Sequence, residues 1–200
     1  MKTVIFLDFD GVVRHWSGTD VYQVESSLGL QPGALFDVAF LPKLLTPAIT
    51  GLVTDQKWRA NVQVELKQRV GSERALTLMQ CWESAAYEID FRLLETIRTN
   101  LPSSKVILTT NATTRLKSDL DNAKLGSYFH AIANSADIGF AKPCEEYFRA
   151  ALTLAKCSVA ECVYVDDSED NIKAAKVLDI TSELHTDAER TIQFLEKECR

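Results

Sequence analysis

Four short runs of apolar and β-branched residues punctuate this chain: TVIFLDF near the start, then KVILTTN, HAIANS and CVYVDD. The first is apolar on both of its faces, as a central parallel strand covered by helices on each side would be, and the others are similar. Between the runs the spacing changes to that of helices. Phe148, Ala151, Leu152 and Ala155 fall at i, i+3, i+4 and i+7. Leu116, Leu120 and Ala123 repeat the pattern in a helix expected to start near Thr113, with Gly126 placed to end it. From about Tyr87 a further helix is expected, with Ile89, Leu93 and Ile97 on one side and Asn100 and Pro102 at its stop. Strands alternating with helices predict an α/β fold, a doubly wound, Rossmann-like parallel sheet with right-handed crossovers. Ligands of such sheets sit at the carboxyl ends of the strands.

One stretch breaks the alternation. From about His15 to Ala85 no strand is evident, only short helical segments punctuated by Gly18, Gly29, Pro32, Gly33, Pro42, Pro47, Gly51 and Gly71. It reads as a helical cap over residues 15–85, inserted after the first strand of a core formed by residues 1–14 and 86–200. Within it Trp58, Val62 and Leu66 share one helical face, with Thr54 as N-cap and Gly71 closing the segment. Trp58 is read as part of the cap's own core.

The length of 200 residues suits one α/β domain plus such an insertion, and 46% hydrophobic with 25% charged residues is the balance of a globular chain with a packed core. The formal charge of −6 argues against a nucleic-acid partner held by neutralising phosphates, but not against a small anionic substrate met by a few local cations or a metal. Cys81, Cys144, Cys157, Cys162 and Cys199 are odd in number and form no CxxC pair, so neither disulfides nor a zinc site is expected. Reduced thiols fit a cytoplasmic location. The opening MKTVIFLDFDG lacks the pattern of a signal peptide, and no stretch has the ~20 apolar residues of a membrane span, so no membrane is expected either.

The candidate chemistry lies where the apolar runs end. Asp8 and Asp10 are two apart on a strand, so both can face one site while Phe9 turns into packing, and Gly11 lets the chain turn sharply. Like charges at an apolar strand end call for a proton or a cation, yet a lone DxD is as readily a turn or helix cap. Thr110 and Asn111 end the second run before a helix, where a hydroxyl beside amides suits an anion and equally suits a cap. Lys142, fixed in direction by Pro143, could neutralise a phosphoryl oxygen and an aspartate, or be a solvated loop residue. Asp166 and Asp167 end the last run and offer oxygens to a hard cation such as magnesium, or cap the next helix, whose first turn Ser168, Glu169 and Asp170 would suit. The succession of acid pair, hydroxyl, lysine and acid pair at successive strand ends is far more specific than any member.

In that order DFDGV, TTN, KP and VDDSEDNI resemble the four motifs of the haloacid dehalogenase-like (HAD) hydrolase superfamily. The resemblance implies an HAD-like core and a phosphatase acting on a small phosphorylated metabolite. It makes Asp8 the nucleophile, forming an aspartyl-phosphate, and Asp10 the acid and base, with Thr110 and Lys142 on the phosphoryl oxygens. It also implies magnesium bound by Asp8, the backbone carbonyl of Asp10 and an acid of the fourth motif, Asp167 first, with Asp166 in support. Family dehalogenases lack the second acid, so Asp10 favours phosphate over halide. A phosphotransferase such as a sugar phosphomutase would share these motifs; a non-catalytic binding protein would be expected to lack one. The insertion matches the C1 cap type, and ITGLVTDQKWRANVQVEL is similar to the subgroup with glucose-1-phosphate phosphatases and the epoxide hydrolase phosphatase domain. The chain departs from the common KPDP with KPCE, Cys144 lacking a partner base. Gly11, His15 and Trp16, at the way into the cap, are candidate substrate contacts, and His130 and His185 carry no distinctive signal.

Overall fold

A computed structural model describes residues 2–17 and 19–199. Gly18, counted above among the punctuation of the insertion, lies outside the described residues.

The first apolar run forms β1 (Val4–Leu7), and the chain then turns into a short strand, β2 (Arg14–Trp16). A helical segment follows: α1 (Thr19–Ser27), α2 (Phe36–Ala39), α3 (Pro42–Ile49), α4 (Asp55–Val70) and α5 (Ser72–Glu83). The chain returns through β3 (Tyr87–Ile89) to α6 (Phe91–Asn100), β4 (Lys105–Thr110), α7 (Leu116–Asn122), β5 (Ala131–Asn134) and α8 (Ser135–Ile138). It ends with α9 (Glu145–Ala155), β6 (Cys162–Asp166), α10 (Glu169–Val177), β7 (Thr181–Leu184) and α11 (Ala188–Cys199).

Five strands make one parallel sheet in the order β5-β4-β1-β6-β7. The central strand is apolar throughout because each face is covered. Ile5 and Leu7 pack with Leu93, Leu94 and Ile97 of α6, Leu116 and Leu120 of α7, and Leu195 of α11. Val4 and Phe6 point the other way, into Tyr147, Phe148 and Ala151 of α9 and Ile172 and Ala175 of α10. Successive strand residues facing opposite helices give the uninterrupted hydrophobic pattern. The sheet is therefore doubly wound, and the chain leaves β1 for β4 and β5 on one side and for β6 and β7 on the other. That reversal opens a crevice at the carboxyl end of β1.

The inserted helices have a separate core, in which Trp58, Val62 and Leu66 of α4 pack with Val21, Leu35, Val38, Ala75 and Leu78. Thr54 caps α4 by accepting from the Lys57 amide, and Gly71 ends it, as the spacing predicts. The sequence reading differs from the structure at the seam. β2 and β3 pair antiparallel, with His15 opposite Glu88 and Trp16 opposite Tyr87, so the boundary expected between residues 14 and 15 falls inside a strand. Ile89, read as helical, belongs to β3, and Asp90 instead caps α6 by accepting from the Leu93 amide. α7 starts at Leu116 and stops at Asn122, with Lys124 at φ 56°, while Gly126 opens a single 3₁₀ turn.

The insertion approaches the core where Gly51 meets α8. At φ +73°, a Cβ on Gly51 would lie 2.1 Å from the Ala136 carbonyl oxygen. Gly51→Ala therefore suffers both an unfavourable backbone and a clash that only backbone movement relieves. It is expected to destabilise by more than about 1 kcal/mol. Chemical denaturation measures this, and an unchanged midpoint would mean that the insertion does not seat on α8.

Candidate active site

The crevice is organised around one ammonium group. Lys142 follows α8 on a loop, and its side chain, 1% exposed, reaches back across the strand ends. Its Nζ donates to Asp8 Oδ1 and Asp166 Oδ2, each at 2.7 Å, and to the Thr109 carbonyl at 3.0 Å. Those three bonds use all the hydrogens of an ammonium. The residue expected to bind a phosphoryl oxygen thus has its donors engaged within the protein. Asn111, expected among the substrate contacts, clamps the Lys142 peptide: its Oδ1 accepts from the Lys142 amide at 2.7 Å and its Nδ2 donates to the carbonyl at 2.8 Å. Thr110 is buried beside it at the end of β4.

The adjacent acids of the fourth motif part company. Asp166 is fully buried, and both of its oxygens are occupied. Oδ1 accepts from the Ser168 amide at 2.8 Å and Asn171 Nδ2 at 3.0 Å. Oδ2 accepts from Lys142, from Asn171 and from the Tyr164 hydroxyl. Asp167 is exposed and lies against Gly11, where a Cβ would come 2.1 Å from its Oδ2. Gly11, at φ +90°, was expected to contact substrate; in the structure it makes room for Asp167.

Asp8, Asp166 and Asp167 each offer an oxygen within 4.8 Å of the others. Three carboxylates against one ammonium leave the cluster net negative, and a hard, oxygen-only donor set of this kind suits a hard divalent cation. Burial pushes the Asp8 carboxyl up to about 7; Lys142 opposes the shift and Asp166 reinforces it. Burial also weighs against the Lys142 charge, but the pull of Asp8 and Asp166 prevails and holds its pKa above the ordinary value.

The Asp10 carboxylate stands outside this cluster, 40% exposed. Its Oδ1 accepts from Arg14 Nε and Trp16 Nε1, both at 2.7 Å, and its Oδ2 from Arg14 Nη2 at 2.9 Å. His15 is exposed on β2. The sequence reading passed over Arg14, Tyr164 and Asn171 and found no distinctive signal at His185. His185 follows β7, its amide donating to the Asp166 carbonyl at 2.8 Å. Its ring Nδ1 lies 2.8 Å from the Thr191 hydroxyl, and burial and then His15 lower its pKa while Asp167 opposes them. Only the run VDDSEDNI, with a carboxamide five residues after a buried acid, carried a signal for any of these. All five cysteines are free, and no described helix is long and apolar enough to cross a membrane.

A family model for haloacid dehalogenase-like hydrolases matches residues 91–183. Among solved structures, a predicted HAD-like family hydrolase from Porphyromonas gingivalis is similar over 100% of this chain and 98% of its own, at 20% identity and TM-score 0.74. An HAD family enzyme from Bacteroides thetaiotaomicron, in complex with magnesium and inorganic phosphate, is similar over 93% of this chain and 95% of its own, at 19% identity and TM-score 0.74. An HAD phosphatase from Thermococcus onnurineus is similar over 93% and 86%, at 18% identity and TM-score 0.58. No curated protein matches the sequence.

The raised Asp8 pKa gives stability a definite sign against pH. Unfolded, the carboxyl ionises near 3.8; folded, it holds its proton to about 7. The folded state binds more protons across that window, so ionisation erodes stability as pH rises through it, and the loss is complete above the folded value. In chelator, the wild-type melting temperature should fall across this window relative to that of Asp8→Asn, the gap being largest at its alkaline end. Parallel melting curves for the two proteins would mean that burial of Asp8 does not set this pH dependence.

Proposed function

We propose that this chain is a haloacid dehalogenase-like hydrolase, a magnesium-dependent phosphatase that hydrolyses a small phosphomonoester through an aspartyl-phosphate on Asp8. The observation that carries this reading is the Lys142 ammonium, 2.7 Å from both Asp8 and Asp166, at the edge of a three-carboxylate cluster. It leaves Asp8 as a carboxylate oriented at a strand end with a cation beside it, which is what an attacking oxygen needs.

In the first half-reaction an Asp8 oxygen bonds to phosphorus as the bond to the leaving oxygen breaks, and Asp10 gives that oxygen its proton. In the second, Asp10 takes a proton from water as the water oxygen bonds to phosphorus, and the Asp8 carboxylate departs. Lys142 contributes charge to the phosphoryl group, and the Thr110 hydroxyl binds its oxygens. Asp166 acts through Lys142, since its own lone pairs are occupied, whereas Asp167 retains an exposed carboxylate. Asp8, Asp167 and the Asp10 carbonyl would hold magnesium, which supplies positive charge to the phosphoryl oxygens and fixes their orientation for in-line attack. The magnesium and phosphate bound by the Bacteroides relative support that assignment. The helical insertion would cover the crevice and exclude water.

Phosphate release from para-nitrophenyl phosphate tests the reading. It should require magnesium and vanish in Asp8→Asn; retention of full activity there would remove Asp8 as the nucleophile. With this ester Asp10→Asn should lower kcat by roughly two to four powers of ten, because water attacks the aspartyl-phosphate more slowly, and KM should fall with it. A raised KM at unchanged kcat would instead make Asp10 a binding group.

A further inference from the structure

We propose that Arg14, assisted by Trp16, is the positioning residue that aims Asp10 at the leaving oxygen; the inference rests on the phosphatase reading above. Arg14 is 5% exposed on β2, yet it spends the fork of its guanidinium on a carboxylate that is 40% exposed. Nε and Nη2 bind the two Asp10 oxygens at 2.7 and 2.9 Å, a two-point contact that fixes the plane of the carboxylate as well as its distance.

The remaining contacts of Arg14 make it a rigid support. Nη1 donates to Asp119 Oδ2 on α7 at 2.9 Å, and Asp119 is itself tied through Oδ1 to Arg115. The guanidinium carbon lies 4.3 Å from the Phe9 ring centre, 4.6 Å from that of Trp16 and 5.6 Å from that of Tyr87. Its backbone closes the turn after β1, the amide donating to the Phe9 carbonyl and the carbonyl accepting from Gly11. The side chain has little freedom to follow Asp10 if Asp10 moves.

Counting lone pairs identifies the working oxygen. A carboxylate oxygen accepts two hydrogen bonds. Among the described residues, Oδ1 accepts two, from Arg14 Nε and Trp16 Nε1, and Oδ2 accepts one, from Arg14 Nη2. The vacant position on Oδ2 is where the proton passes, first to the leaving oxygen as its bond to phosphorus breaks and later back from water.

Leaving-group dependence separates this role from a structural one. For kcat/KM, which reports the steps through leaving-group departure, an alkyl phosphate needs its oxygen protonated and para-nitrophenyl phosphate scarcely does. Arg14→Gln should reduce kcat/KM for the alkyl ester at least about tenfold more than for the aryl ester, the pattern expected of Asp10→Asn. Adding Arg14→Gln to Asp10→Asn should change that ratio no further, because the two residues act as one unit. Equal losses on both esters, or additive ones, would overturn the proposal, since a fold defect lowers both rates alike. Should Arg14→Gln fail to fold, Trp16→Phe alters an exposed side chain, keeping an aromatic ring while removing the indole donor; it should shift the ratio in the same direction, and an unshifted ratio overturns the proposal. If the wild-type protein hydrolyses neither ester, the phosphatase reading falls by itself. A crystal structure of Arg14→Gln then decides the inference: an Asp10 carboxylate still in its original place would refute it.

Discussion

A single buried ammonium holds three strand ends in register. Lys142 bonds to Asp8 after β1, to Asp166 at the end of β6 and to the Thr109 carbonyl in β4, three neighbouring strands whose carboxyl ends would otherwise present like charges and bare oxygens to one another. Stripping one partner from a buried ion pair typically costs about 3–5 kcal/mol, because the survivor keeps its desolvation penalty without its compensation. Here two carboxylates depend on one lysine. Asn111 completes the arrangement from β4 by gripping the lysine's own peptide, so the cation is fixed at both ends. The placement of β1 between β4 and β6 is what allows a side chain from a distant loop to reach all of them.

The same network explains why two adjacent aspartates have different surroundings. Asp166 is enclosed by Lys142, Tyr164, Asn171 and the Ser168 amide, whereas Asp167, one residue on, turns towards Gly11 and solvent. The glycine is required by that approach, since any side chain there would occupy the Asp167 carboxylate's place. The burial of Asp8, which Lys142 offsets only in part, appears as its raised pKa.

How much of this was legible in the sequence follows from the range of the forces involved. β1, β4 and β6 were readable because strands covered on both faces run apolar, β5 from its apolar AIA although it lies at the sheet edge with Ile132 exposed, and α4 and α9 because their buried residues recur every turn. β7, with the sequence TSEL at the sheet edge, carries no such pattern. β2 and β3 were missed because RHW and YEI are too short to show alternation, and each becomes a strand only by pairing with the other some seventy residues away. The motif residues announced themselves by type and order. The hold of Asn111 on Lys142 and of Arg14 on Asp10 did not, since a carboxamide or guanidinium in a sequence says nothing of which oxygen it will meet. Arg14 lay only four residues from Asp10, but at a turn whose closure depends on backbone bonds that no periodicity reveals.

That turn gives the β2–β3 ribbon more than a connecting role. Through its two strands the chain enters and leaves the helical insertion, and on them sit Arg14 and Trp16, which hold Asp10, and Tyr87, which packs beside both. At the other edge of the crevice Asp55, at the start of α4, accepts from the Thr113 hydroxyl and is itself braced by Arg59, while its amide donates to Thr114. The insertion is thus fastened to the core on both sides of the strand ends, once by paired backbone and once by side chains from the loop after β4. The backbone that carries the chain into and out of the helices is therefore the same backbone that carries the groups bound to Asp10, so the position of the insertion and the placement of that carboxylate share one short antiparallel support.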